Sequence, residues 1–168
     1  MAATRSDATN TADVAGVAIF IAAPMSVLNA QDYRDLQRTI TELIARVKNI
    51  PSVDAVYFAG ANIAAPAEFS DPTSAIAADM EALDRCDVFI LYYSAPAATS
   101  ALVELGYALA RRKRVLIVAP DESILPFLIR NMTERPVTPL LPPVERIFST
   151  DSKEVLTWLI SRITPSRH

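Results

Sequence analysis

Histidine is almost missing from this chain: the only one is His168, the last residue. That excludes histidine-based catalytic triads, HExxH metal sites and histidine proton shuttles together. Glycine is nearly as scarce, with only Gly16, Gly60 and Gly106. Neither a GxGxxG dinucleotide fingerprint nor a GxxxxGK[ST] phosphate loop can be written from them. A single cysteine, Cys86, rules out an intrachain disulfide. An excess of basic charge is absent as well: the net charge is −3 and the pI about 5.2. This balance favours neither a nucleic-acid backbone nor an anionic membrane as partner. The only apolar run near the roughly 18 residues of a membrane span covers 88–103, and Pro96 interrupts it. Any chemistry must therefore come from carboxylates, hydroxyls, tyrosines and backbone groups.

What is there suits one globular domain. The 168 residues match one domain's length, and 51% hydrophobic content is ample for a core. Residues 1–14 read as a loose polar tail without the apolar segment of a signal peptide, so a soluble, cytosolic protein is expected, with its domain over 15–168. From Val17 strand-like and helix-like patterns alternate. Short apolar runs at 17–22, 53–58, 87–93, 115–119 and 145–149 predict strands. Helical periodicity predicts helices over 30–48, 73–84, 100–112, 124–131 and 151–163. Expected inward residues include Ile76, Met80 and Leu83 on the second helix. On the last they are Val155, Leu156, Leu159, Ile160 and Ile163. The basic run from Arg111 to Arg114 suits the C-terminal end of a helix dipole.

Strand–helix alternation implies a parallel sheet covered on both faces. We expect the flavodoxin-like (Rossmann-like) α/β architecture with strand order 2-1-3-4-5. Ligands of such sheets bind beyond the strands' carboxyl ends, where the winding reverses. That crevice lies between strands one and three, lined by the loops Ala22–Asn29 and Tyr93–Ser100.

One residue beside this crevice stands out. Glu104 is the only charged side chain from Val88 to Ala110. A capping box would need Ser or Thr three residues earlier, and position 101 is alanine. A partly desolvated carboxylate here fits a nucleophile. Asp79, by periodicity alone, is a surface acid. Ser94, Thr99 and Ser100 lie in the crevice loop; helix capping accounts for one of the last two, and the amides there suit an anion. Of Tyr92 and Tyr93, one should face the core and the other the pocket mouth. Phe20 and Met25 read mainly as packing residues. Cys86 reads as a small buried hydrophobe.

Three segments carry a family resemblance: FIAAPM (20–25), DMEALDRCDVFIL (79–91) and VELGYALARRKRVLIVAPDE (103–122). Over roughly 17–131 the chain resembles the nucleoside 2-deoxyribosyltransferase superfamily. That superfamily includes the 2′-deoxynucleoside 5′-phosphate N-hydrolases and the CMP N-glycosidases. The resemblance implies retaining attack on the anomeric carbon of a nucleoside or nucleotide, with no cofactor and no metal. Glu104 stands at the family's nucleophile and Asp79 at its active-site aspartate. Phe20, Ala23, Pro24, Met25, Tyr93, Ser94, Ala98, Thr99, Ser100 and Asn131 are the implied substrate contacts. The transferases carry an aspartate where this chain has Ala98, and many members have Gly-Pro-Phe where it reads Ala-Pro-Met. A hydrolase, or a relative with another substrate, is therefore expected over a plain transferase.

Two other functions share these residues. The serine-bearing strand end followed by a helical glutamate is also similar to TIR-type NAD hydrolases, which cleave the nicotinamide–ribose bond. A nucleotide-sensing domain without turnover is the non-enzymatic alternative. The resemblance also implies a homo-oligomer, with the segment 124–143 and Arg130 or Asn131 reaching a neighbour.

Overall fold

In a computed structural model, residues 16–62, 72–132 and 141–164 are described. The expected polar tail and most of the loop after Met132 lie outside them. The elements run β1 (Val17–Ala22), α1 (Ala30–Val47), β2 (Val53–Phe58), α2 (Pro72–Arg85), β3 (Val88–Tyr92) and α3 (Ser100–Ala110). They continue as β4 (Arg114–Ala119), α4 (Phe127–Arg130), β5 (Val144–Phe148) and α5 (Ser152–Ile163). The five strands form one all-parallel sheet in the order β2-β1-β3-β4-β5, the expected topology.

Alternation along each strand divides the core. Ile19, Ile21 and Ala23 point to the side covered by α1 and α5, where they meet Leu36, Ile40, Leu43, Val155 and Leu159. Phe20 and Ala22 point to the side covered by α2, α3 and α4, where they meet Leu83, Ala101, Leu105 and Ile129. Helix α1 begins where its sequence says it should: Asn29 caps it, its side chain accepting from the amides of Gln31 and Asp32 at 3.0 Å each. Its buried stripe is Tyr33, Leu36, Ile40, Leu43 and Val47, the spacing of one helical face.

The segment predicted as a helix over 124–131 is broken in two. A short 3₁₀ turn covers Glu122–Ile124, and α4 is only Phe127–Arg130. Pro126 is the cause. A proline pushes the residue before it out of the helical region, and Leu125 accordingly sits at ψ 138°. Two residues expected inside are outside. Ile76 is 58% exposed, whereas Leu83, nearer the end of the same helix, is fully buried. Ile160 is 37% exposed, flanking the narrower buried stripe Val155, Leu159 and Ile163.

The basic run after α3 has a structural role throughout its described contacts. Arg111 pairs with Asp84 at 2.8 Å, Lys113 donates to the carbonyls of Asp84 and Cys86, and Arg114 pairs with Glu145 at 2.7 Å. Asp87 ties strand ends together by accepting from the amide of Ala18 at 2.9 Å.

Candidate active site

The parallel register places three rings in one row across the sheet. Phe20 of β1 lies opposite Tyr57 of β2 and opposite Phe89 of β3. All three face α2 and α3. The Phe20 ring stacks on Tyr57 at 5.1 Å and on Phe89 at 5.7 Å. Held this way, the Tyr57 hydroxyl donates to Oδ1 of Asp79 on α2 at 2.8 Å.

Glu104 completes the group from α3. It is 7% exposed and is the one buried charged or polar residue among those described. Burial, then the charge of Asp79, pushes its carboxyl up to about 7, while a hydrogen bond from Ser100 opposes the rise. Burial likewise raises Asp79, and there the Tyr57 hydrogen bond works in the opposite direction. Burial, the Asp79 hydrogen bond and the charges of Asp79 and Glu104 all hold the Tyr57 phenol above its ordinary range. No lysine or arginine contributes to any of these three shifts. The nearby cations are engaged elsewhere: Arg85 on Glu81 at 2.6 Å, and Arg111 on Asp84. Among the described residues the site is thus a pair of carboxyls in a low-dielectric setting without a countercharge, an arrangement that favours positive charge developing on a bound molecule.

The crevice loop adds hydroxyls. Thr99 occupies the N-cap position of α3, but its side chain makes no capping bond, contrary to the expectation that capping accounts for it or Ser100. Ser100 instead serves Glu104. Ser94 Oγ and Thr99 Oγ1 are both buried without a hydrogen-bond partner. Leaving such a group unpaired costs about 1–3 kcal/mol. Ala98 is exposed in the same loop.

The remaining expected contacts divide differently. Phe20 is fully buried beneath Tyr57, and Tyr93 is buried with its hydroxyl engaged by the amide and carbonyl of Ala97, both at 3.0 Å. Both pack on the side of the sheet covered by α2 and α3. Tyr92 faces neither the core fully nor this mouth. It borders an open groove between α1 and α5, on the opposite side of the sheet from Glu104. Ala23, Pro24 and Met25 are buried at the strand end. Met25 turns toward α1, packed so closely on Gly60 that a Cβ there would lie 2.3 Å from its sulfur. Asn131 is exposed, its amide donating to the carbonyl of Phe127 at 2.7 Å, and Arg130 is bound to the carbonyls of Ser123 and Leu125. Neither is brought to the carboxyl pair by a described contact.

Tyr57 is the member that the sequence reading missed. Its signal was present: it shares strand parity with Phe20 once the parallel register is drawn, and it lies near the carboxyl end of its strand. Among the described residues no group of three or more His, Cys, Asp or Glu is arranged to hold a metal ion, and no helix is long and apolar enough to cross a membrane.

No protein-family model and no curated protein matches the chain in sequence. Solved structures do match. The Clostridium botulinum CMP N-glycosidase BcmB superposes with a TM-score of 0.62 at 21% identity, over 86% of this chain and 98% of that one. The fold is shared with a CMP N-glycosidase. The solution structure of BlsM matches with a TM-score of 0.65 at 18% identity, over 92% of this chain and 99% of that one. These likenesses span the full α/β unit, and at such identities they establish the fold.

Proposed function

We propose that this protein is an enzyme that cleaves the N-glycosidic bond of a nucleoside or nucleotide. Glu104 is the nucleophile, and Asp79 positions the substrate and handles the departing base. The observation that carries the reading is the buried Glu104 coupled to Asp79, with no cation among the described residues contributing to either shift. The fold shared with a CMP N-glycosidase and the ELGYA motif around Glu104 support it.

The chemistry follows the logic of retaining glycosidases. The Glu104 carboxylate attacks the anomeric carbon, and the bond to the base nitrogen breaks, its electron pair leaving with the base. A proton delivered on the Asp79 side neutralises that nitrogen. Water then attacks the anomeric carbon of the resulting glycosyl ester, releasing the sugar and returning the Glu104 carboxyl. Positive charge builds on the sugar in both steps, where two carboxyls without a countercharge stabilise it. It also draws Glu104 toward its ionised form at neutral pH.

Ser94, Thr99 and the start of α3 would take the sugar hydroxyls or a 5′ anionic group, a role that their unpartnered hydroxyls support. Alanine at 98, in place of the transferases' aspartate, favours hydrolysis over transfer. Self-association belongs to the same reading. Phe127 and Leu128 are 74% and 72% exposed on α4, the segment expected to meet a neighbour, and a light-scattering mass of one chain at micromolar concentration would remove this part.

The deciding experiment is a panel of deoxynucleosides, nucleoside monophosphates and NAD, with released base or nicotinamide followed by chromatography. Base release from a nucleoside or nucleotide is expected, and a second free base added to the mixture separates transfer from hydrolysis. Release of nicotinamide alone moves the protein to NAD hydrolysis. Nucleotide binding with no base released from any substrate makes it a sensor.

A further inference from the structure

The half-buried phenol on the sheet's edge strand has no part in the mechanism so far, yet it makes the one described hydrogen bond to the carboxyl pair that comes from the sheet. We infer that Tyr57 is a positioning residue for that pair: its hydroxyl fixes Asp79 as the ionised member and so leaves the proton that the two carboxyls share on Glu104. The inference rests on the functional reading above for its catalytic consequence, although not for its geometry.

Three observations carry it. The Tyr57 hydroxyl donates its proton to Oδ1 of the half-buried Asp79 at 2.8 Å. The ring cannot swing away freely, because it stacks on Phe20, itself fully buried and stacked on Phe89. Every described charge acting on the group is also accounted for. Tyr57 faces Asp79 from β2 and Glu104 faces it from α3, while β1 presents only Phe20 and Ala22 on this side. On α2 itself, Glu81 and Asp84 are exposed and paired with Arg85 and Arg111. Among the described residues no cation contributes to either shift, so the described asymmetry between the carboxyls rests on their hydroxyl donors, and a phenol is a stronger donor than the Ser100 hydroxyl at Glu104. The shifts have the same sense: the charge of Asp79 raises Glu104, whereas the Tyr57 bond lowers Asp79.

The arrangement orders the two carboxyls in time. With its carboxyl near 7, Glu104 keeps a proton in roughly half of the free protein at neutral pH and must give it up to attack. Asp79, held by the Tyr57 hydroxyl, is the acceptor for that proton and can relay it to the departing base. Tyr57 itself keeps its proton throughout.

The test is Tyr57→Phe, which keeps the ring on Phe20 and removes only the hydroxyl. Carboxyl titrations of Asp79 and Glu104 by isotope-edited NMR need no substrate. In the variant the Asp79 midpoint should rise by roughly one unit, and the Glu104 midpoint should fall as Asp79 becomes neutral over more of the range. In the pH profile of kcat/KM the acidic limb should move with them. The rate at its optimum should fall by about tenfold to a hundredfold, and the same substitution should have no further effect in an Asp79→Asn background. Both midpoints unmoved overturns the inference, and so does a full additional loss in the Asp79→Asn background. If Tyr57→Phe does not fold, Phe20→Leu is the second probe. It keeps the hydroxyl but frees the ring, so Asp79 should rise by a smaller amount, and no movement there overturns the inference equally. A parent protein that releases no base sinks the functional reading instead, and the titrations still decide the role of Tyr57.

Discussion

The two sides of the sheet are built from the same five strands, residue by residue in alternation, and they differ in what they bury. Toward α1 and α5, Ile19, Ile21 and Ile40 meet other apolar side chains, and no buried carboxyl is described there. Toward α2 and α3, the ring row Tyr57–Phe20–Phe89 supports a buried glutamate and a half-buried aspartate. Burying Glu104 raises its carboxyl to about 7, so the folded state is destabilised whenever that group ionises. One side holds the domain together, and the other gives up part of that stability to bury a carboxyl.

The sharpest way to break the contrast is Glu104→Gln. Turnover should fall by several orders of magnitude while ligand binding persists, as single-turnover and binding measurements will show. Parent-like turnover would mean that the likeness to the N-glycosidase reports fold only. Next, Asp79→Asn should lower the rate by about 10²–10⁴ if Asp79 takes part in proton transfer. On the other side of the sheet, Ile40→Ala should cost about 2–5 kcal/mol in denaturant unfolding and leave the pH profile of activity in place. A displaced profile would show that the two sides are not independent.

Stability against pH sharpens the comparison further. The Glu104 carboxyl has its ordinary value, 4.5, when the chain unfolds and about 7 when folded. Between these values the folded state keeps a proton that the unfolded state has lost. Stability is therefore highest below this window and falls as pH rises through it, by about 3 kcal/mol at most. Thermal unfolding across the window should show the fall in the parent and lose most of it in Glu104→Gln. The smallest effect belongs to Arg112, which ends α3 at a φ of 57°. Arg112→Gly should raise stability by roughly 0.5–1 kcal/mol and leave turnover unchanged.

Much of this was legible in the residues because burial on both faces leaves a plain record. The runs at 17–22 and 53–58 became strands with those same bounds, and strand–helix alternation led to the observed order. Glu104 was conspicuous because nothing else in its segment is charged. What stayed hidden depended on distance across the fold. Periodicity says which face of α2 turns inward but not how far along it the neighbours reach, hence Ile76. It cannot say that Thr99 fails to cap its helix. The two tyrosines after Leu91 alternate as a strand must, yet only the loop's own backbone shows that Tyr93 is held by Ala97. Tyr57 needed the register with Phe20 before it could be seen beside Asp79.

Cys86 has a practical consequence. The thiol is 2% exposed, donates to the carbonyl of Leu83, and is pushed up to about 11 by burial, with Lys113 opposing. At neutral pH only on the order of one molecule in 10⁴ carries the reactive thiolate. A maleimide reagent will therefore pass over the folded protein and capture it only when the domain opens. The parent chain carries its own label-based clock for global unfolding. Val103→Cys, on the exposed face of α3, would take a dye with the native thiol silent, giving a single-site label on the folded domain.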